Sequence, residues 1–313
     1  MVLLRFRLNL KQHSITLIRR VVQITTFLLI NYVILENIFG INLNAFEGLV
    51  KVLPILNSPR NPLSTGAGIL EYIFYSIGQG FFPIMLIGIF MLVILFTNRS
   101  FCGWVCPIGT IQDALGAIPV KKRAPKRNTH RFLLKIKYVF IIILIIIIVP
   151  LGITNTANQL FYVDFKAQLG SFADKPIGYF SMSEFIFYYF LRFISNWSNF
   201  FVLANWGAII IFVFYFIVLT LSIWYPRIYC RYFCPFAALS SAISDYSFLK
   251  LSRNPVKCVG RAECGICEKV CPKQIRILDE PFEFYTGSGE CNLCLKCMEQ
   301  CPYNAIFIKL GNV

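Results

Sequence analysis

Apolar residues gather in four runs along the chain, at Val21–Ile41, Phe81–Thr97, Tyr138–Thr156 and Trp206–Tyr225. Each approaches the roughly 20 residues that a helix needs to cross a bilayer. The third run, "YVFIIILIIIIVPLGI", is rich in the β-branched residues that favour strands. Its length still reads as a spanning helix, because lipid offers no partner to a lone strand's backbone groups. Two shorter segments, "ILEYIFYSI" and "EFIFYYFLRFI", are too short to span and read as interfacial helices edged by aromatics. The expected fold is therefore an α-helical membrane protein with four transmembrane helices.

The polar positions set the orientation. Hydrophobic residues make up 57% of the 313 and charged ones 14%, which excludes an ordinary soluble globule. Arg5, Arg7, Lys11, Arg19 and Arg20 precede the first run, nine cations from Arg99 to Lys137 lie between the second and third, and eleven follow the fourth. The other two loops carry only Lys51 and Arg60, and Lys166, Lys175 and Arg192, offset by acids. This alternation predicts a multi-pass protein of the cell (inner, cytoplasmic) membrane with both termini in the cytoplasm. Topology thus accounts for the net charge of +15, and no nucleic-acid partner is expected. No small-residue cleavage site follows Arg19-Arg20, so the first run reads as a retained signal-anchor.

All twelve cysteines fall on the predicted cytoplasmic side, where thiols stay reduced and metal binding is the default. "CNLCLKCMEQCP" places Cys291, Cys294, Cys297 and Cys301 in the C-x2-C-x2-C-x3-C-P spacing of a [4Fe–4S] ferredoxin. "CVGRAECGICEKVCP" supplies Cys258, Cys264, Cys267 and Cys271, with a first gap of five residues that requires a bulged loop. In two-cluster ferredoxins the fourth cysteine of each run serves the other cluster. One cluster would then be held by Cys271, Cys291, Cys294 and Cys297, and the other by Cys258, Cys264, Cys267 and Cys301. A zinc pair is the competing reading, since C-x2-C also suits tetrahedral zinc. The segment predicts a small α+β two-cluster ferredoxin-like domain.

The other four cysteines belong to an internal repeat. "RSFCGWVCPIGTIQDALGAI" aligns with "RIYCRYFCPFAALSSAISDY", and upstream "EYIFY" aligns with "EFIFY". After each Cys-Pro, apolar residues recur at Ile108, Ile111, Leu115 and Ile118, and at Phe236, Leu239, Ile243 and Tyr246, the spacing of a short amphipathic helix. Pro107 and Pro235 suit its first position, which puts Cys106 and Cys234 at the N-cap, where the helix dipole and Arg99 or Arg227 would favour a thiolate. The halves share one orientation, so the four helices read as two parallel helix-hairpin repeats. A two-fold axis would let Cys102, Cys106, Cys230 and Cys234 share a third iron–sulfur cluster. Redox-active thiols, a transient copper(I) site or plain burial are the other readings.

His13 and His130 are the only histidines and both lie in cytoplasmic segments, so no haem is expected in the bundle. Glu71 and Glu184, each beside a row of aromatics at the outer edge, read mainly as solvated carboxylates. Either is the weak candidate for accepting a proton from a quinol. Phosphate-loop, dinucleotide and nucleophile-elbow signatures are missing from the sequence, so hydride chemistry would belong to a partner. The domain reading is residues 1–20 as a cytoplasmic segment, 21–250 as the membrane domain and 251–313 as the ferredoxin-like domain.

Paired C-x3-C-P corners, four spans and the two-cluster tail together resemble the NapH/NosR/MauN group of membrane polyferredoxins, from the first span to about Phe307. The resemblance implies a quinol dehydrogenase membrane component, or an electron-transfer subunit within a redox complex of cytochromes or other iron–sulfur proteins. It implies cluster ligation by the eight tail cysteines and a redox role for Cys102, Cys106, Cys230 and Cys234. The large extracytoplasmic flavin-binding domain of the NosR type has no counterpart in this sequence, which looks closer to the short NapH type. The five-residue gap after Cys258 departs from the usual spacing. The expected function is electron relay between the quinone pool, or a membrane partner, and a cytoplasmic redox partner, with Lys121–Arg131 as a docking edge. A copper-handling factor for assembly of another metalloenzyme is the alternative.

Overall fold

Long apolar stretches with few helix breakers favour helix, and in the computed structural model nearly every element is helical. The structure describes residues 14–30, 40, 68–170, 173, 177, 180–182, 185–190, 193–194, 206–283, 285–287 and 289–311. Two units form, one from residues 1–27, 91–110 and 239–313, the other from residues 28–90 and 111–238.

In the first unit, α1 (Ser14–Ile30) carries a polar stripe at Thr16, Arg19, Gln23 and Thr26, one helical face. That stripe is anchored at each end: the Thr16 amide donates to Glu299 (2.8 Å), and the Gln23 side-chain amide donates to the Gly103 carbonyl (2.9 Å). The first expected span starts at Val21, yet the helix already runs from Ser14, about two turns earlier; its far end, beyond residue 30, lies outside the described residues. The C-terminal tail is a two-stranded antiparallel sheet with short helices. Strand β1 (Leu249–Arg253) pairs with β2 (Ile306–Leu310), with Leu251 opposite Ile308. Leu251, Ile275, Ile277, Tyr285, Leu293 and Ile306 form its core together with Cys291 and Cys297.

In the second unit, α2 (Ile69–Gly78) lies against the long helix α6 (Arg127–Ala157). Gly152 permits the contact, because a Cβ there would collide with the Ile77 carbonyl. On α6 the buried positions Ile141, Leu144, Ile148 and Leu151 repeat every three or four residues, while Ile142, Ile145, Ile146 and Ile153 face outward. Among the described residues, Asn128–Ala157 is the one helix long and apolar enough to cross a membrane. Its partner α7 (Gln159–Leu169) starts where the Asn158 side chain accepts from the Leu160 amide at 3.1 Å.

The remaining apolar runs give shorter helices. Helix α3 (Ile84–Thr97) begins only after Pro83, and its 14 residues rise about 21 Å. Helix α8 (Trp206–Leu221) ends in a tightened turn, where the Ile223 and Trp224 amides bond three residues back. Both fall short of the 17- and 20-residue runs in the sequence. The short corner helices α4 (Ser100–Trp104) and α9 (Ile228–Tyr232) each lead into an amphipathic one, α5 (Pro107–Gly116) and α10 (Pro235–Ser244). These two stop before Ile118 and Tyr246, so the expected last position of each apolar stripe lies past the helix end and is exposed.

Candidate metal centre

The tail gathers its cysteines in two groups. Cys258, Cys264, Cys267 and Cys301 line one cavity of about 350 Å³, counting its open side, walled by Ile266, Leu278, Pro302 and Ile306. The five-residue gap after Cys258 is filled by a helical turn, α11 (Gly260–Glu263), which lets Cys258 reach the same cavity as Cys264. Asn254 starts that bulge by accepting from the Val256 and Lys257 amides at 2.9 and 3.3 Å. Burial pushes the Cys267 thiol up to about 11, with Glu268, Cys258 and Cys264 adding negative charge.

Cys271, Cys291, Cys294 and Cys297 form the second group. Burial pushes Cys291 up to about 12; the neighbouring Cys294 and Cys271 add to the rise and the Arg99 charge opposes it. Cys297 is raised by burial and then by Cys294, Cys291 and Cys271. Tyr285, held protonated well above its usual range by burial, lies 3.6 Å from the Cys297 sulfur. The two groups share a backbone device: Gly265 (φ 67°) and Leu295 (φ 59°) both adopt left-handed conformation between the last two cysteines of a C-x2-C. Such a turn aims backbone amides at an anion.

The fit to iron–sulfur clusters follows from this geometry. Four thiols surround one cavity, and in the other group Cys271 and Cys294 lie close enough to Cys291 and Cys297 to raise both buried thiols further. Among the described residues, no three His, Cys, Asp or Glu side chains are gathered closely enough for a single metal ion. Four thiolates at 2.3 Å from one zinc would lie only about 3.8 Å apart, whereas a cubane spreads them by its own width. A bound cluster would supply one-electron chemistry and would hold all its thiolates deprotonated.

The two C-x3-C-P corners have the same backbone. In the first, the Cys106 amide donates to Phe101 O (2.9 Å) and Thr110 to Cys106 O (3.0 Å). In the second, Cys234 donates to Tyr229 O (3.0 Å) and Ala238 to Cys234 O (3.1 Å). The helices after both corners begin at the expected prolines, and all four corner cysteines are buried. Their arginines, expected to favour thiolates, are engaged with carboxylates. Arg227 makes a bidentate pair with Asp113, both contacts 2.7 Å, and Arg99 reaches Glu290 at 3.3 Å.

Three departures from the repeat bear on the site. Gly103, Gln112 and Asp113 align with Arg231, Ser240 and Ser241. Gly103 is required because a Cβ would strike the Asn292 carbonyl, within the Cys291–Cys294 loop. Gln112 donates to the Cys230 sulfur at 3.0 Å. Where Asp113 would recur, Ser241 stands instead; the Gly289 backbone packs on its carbonyl, and the adjacent Glu290 supplies the carboxylate to Arg99. These breaks were the available signal for residues that charge counting missed. Arg19, expected only to orient the chain, is fully buried and donates to the Cys294 carbonyl at 3.4 Å.

Elsewhere, Glu71 is 5% exposed on α2, a buried carboxylate instead of the solvated one expected, while Glu184 lies outside the described residues. His130 contacts Tyr232 (2.8 Å) and Arg231 (3.1 Å), and His13 lies outside the described residues. On the Lys121–Arg131 edge, Lys122 is tied down by the Ile118 and Ile223 carbonyls at 2.9 and 2.8 Å, while Lys121, Arg123 and Lys126 are exposed.

Twinned cysteine corners and paired thiol groups define an iron–sulfur protein of the ferredoxin type. A 4Fe-4S binding domain family matches the chain twice, over residues 79–126 and 204–254, so each match contains one corner. "Putative electron transport protein YccM" of Escherichia coli is 25% identical, over 73% of this chain and 57% of its own length. The regulatory protein NosR of Pseudomonas aeruginosa is 27% identical, over 67% of this chain and 25% of its own. An uncharacterized ferredoxin of Methanocaldococcus jannaschii is 44% identical to 17% of this chain, which covers 70% of that ferredoxin. The chain is thus similar, over most of its length, to proteins of the NosR type and carries the same kind of 4Fe-4S binding domain twice. No solved structure matches it.

Proposed function

We propose that this protein is a membrane-anchored iron–sulfur subunit that relays electrons between the quinone pool, or a membrane partner, and a cytoplasmic redox partner. The observation that carries the reading is the cavity ringed by Cys258, Cys264, Cys267 and Cys301, which draws ligands from both cysteine runs. Cys271, Cys291, Cys294 and Cys297 hold the second [4Fe–4S] cluster on this reading. A third shared by Cys102, Cys106, Cys230 and Cys234 is supported by the domain matches, which fall on the corners and not on the tail. Anchoring is supported by Asn128–Ala157 and its outward isoleucines, and by the further apolar helices α3 and α8 as additional spans. Both termini are cytoplasmic on this reading, which the cation distribution supports.

Glu71, buried beside the half-exposed aromatics Tyr72 and Tyr75, is the proton acceptor proposed for quinol oxidation. Purified protein reconstituted with iron and sulfide tests the assembly: about twelve irons per chain are expected at four per cluster, and about eight would remove the corner cluster. Rapid reduction of the clusters by a quinol analogue is expected. Clusters that no quinol reduces would overturn the quinone part, and normal quinol turnover in Glu71→Gln would overturn the role of that carboxylate.

A further inference from the structure

Six contacts converge on one short loop of the tail. Between Gly289 and Cys294, which contains the two ligands Cys291 and Cys294, Arg99 donates to the Gly289 carbonyl and reaches Glu290 at 3.3 Å. Lys273 reaches Glu290 at 3.8 Å, and Gly103 packs on the Asn292 carbonyl. Trp104 donates to the Leu293 carbonyl at 2.9 Å and Arg19 to the Cys294 carbonyl at 3.4 Å. Arg19 and Arg99 are fully buried and Lys273 is 2% exposed. Burying three cations against one loop is costly in itself. It becomes favourable if the loop holds a permanent anion, and a cluster carrying four thiolates is one.

The other thiol group lacks this setting. Its cavity is partly open to solvent, and among the described residues that line it the buried cation is Arg253, 3.9 Å from the Cys258 sulfur. Arg261 is exposed and bridges Glu268 and Asp279 at 2.8 and 2.7 Å.

We infer that Arg19, Arg99 and Lys273 set the redox potential of the cluster held by Cys271, Cys291, Cys294 and Cys297, raising it selectively. The inference rests on the reading that these four cysteines hold a cluster. Accepting one electron makes the cluster more negative. Burial opposes that change, and fixed cations packed on the ligand loop favour it, so removing a cation lowers the midpoint. Arg19 is the cleanest handle, because it donates to a ligand's own carbonyl and belongs to a helix remote in sequence. It acts through the field and not by touching the cluster, so it is a positioning residue.

The test is a potentiometric titration of the reconstituted full chain, followed by electron paramagnetic resonance, for wild type, Arg19→Gln, Arg19→Lys and Thr16→Ala. Arg19→Gln is expected to make reduction of one tail cluster at least tenfold less favourable, about 59 mV for one electron, with the other cluster unmoved. Arg19→Lys is expected to restore most of the shift. Thr16→Ala loosens the same helix without changing charge and is expected to leave both midpoints in place. Lys273→Met, a second cation removed from the same loop, is expected to shift the same cluster in the same direction should Arg19→Gln fail to fold. Equal midpoints in Arg19→Gln and wild type, a shift in both clusters, or an equal shift in Thr16→Ala would overturn the inference. Loss of the second tail signal in wild type itself would instead overturn the cluster reading.

Discussion

Replacing Gly103 by alanine tests the closest approach between the first corner and the tail. Gly103 lies in α4, with no positive φ to accommodate, so alanine alone would stabilise the helix by about 0.5–1 kcal/mol. Against that gain stands a Cβ driven into the Asn292 carbonyl, a backbone atom that cannot rotate away. Overpacking of this kind costs about 1–3 kcal/mol, and the loop cannot retreat freely because Trp104 and Arg19 hold its carbonyls. The net expectation is a loss of about 0.5–2 kcal/mol, together with a displaced Cys291–Cys294 loop. Gly88→Ala is the matched control, since nothing lies within 4 Å of its Cβ position in α3. Denaturant unfolding of both variants in one detergent gives the comparison, and the resonance signal of the cluster at Cys291 reports the loop. Gly103→Ala as stable as Gly88→Ala, with an unchanged signal, would refute the tight approach.

Three further predictions concern ligands, charge and pH. Cys271→Ser is expected to remove the cluster of Cys291, Cys294 and Cys297 while leaving that of Cys258, Cys264 and Cys267; iron content and resonance should show a single tail signal, and loss of the latter cluster instead would reverse the assignment. Asp113→Ala leaves the fully buried Arg227 guanidinium without its bidentate carboxylate and is expected to cost about 3–5 kcal/mol in thermal or denaturant unfolding; a neutral result would mean that water reaches Arg227. In the metal-free tail Cys291 is raised from 9.0 to about 12, so the unfolded chain ionises first. Stability from this thiol is complete below about pH 9 and falls by about 4 kcal/mol as pH rises through 12. The cluster-loaded tail, whose thiols are already deprotonated, should show no such fall in circular dichroism, and parallel curves for the two forms would refute the argument.

How much was readable from sequence depended on whether a feature was local. The helix starts at Pro107 and Pro235 and the bulge after Cys258 followed from residues within a few positions of one another. Helix length was less legible, because apolar runs do not reveal where Pro83 delays α3 or where α8 tightens its last turn. Charge was misread in a specific way. Arg19, Arg99, Lys137, Arg227, Arg231 and Lys273 are buried, so part of the excess read as a topology signal also serves packing and ion pairing. Glu71 was expected in solvent because helical periodicity on an aromatic-rich segment leaves the inward face ambiguous.

The departures from internal symmetry explain how one chain uses the same corner for two purposes. Where the repeat keeps its own carboxylate, Asp113 pairs with Arg227, and Arg231 fills the position equivalent to Gly103, stacking 4.9 Å from Tyr232. Where it has lost that carboxylate to Ser241, the equivalent arginine takes Glu290 from the tail, and glycine at 103 admits the tail backbone. A bulky residue at 103 or a second aspartate at 241 would compete with the tail for the same space and the same guanidinium. Divergence at those positions is therefore what a docked ferredoxin-type domain requires. Ser241→Asp should expose the competition: with Arg99 offered a carboxylate beside Gly289, Glu290 becomes surplus negative charge next to Cys291. The expected readout is a lower midpoint for the cluster at Cys271, Cys291, Cys294 and Cys297, partly recovered in the double variant Ser241→Asp with Glu290→Gln. An unchanged midpoint in both variants would mean that the carboxylate borrowed from the tail has no part in setting it.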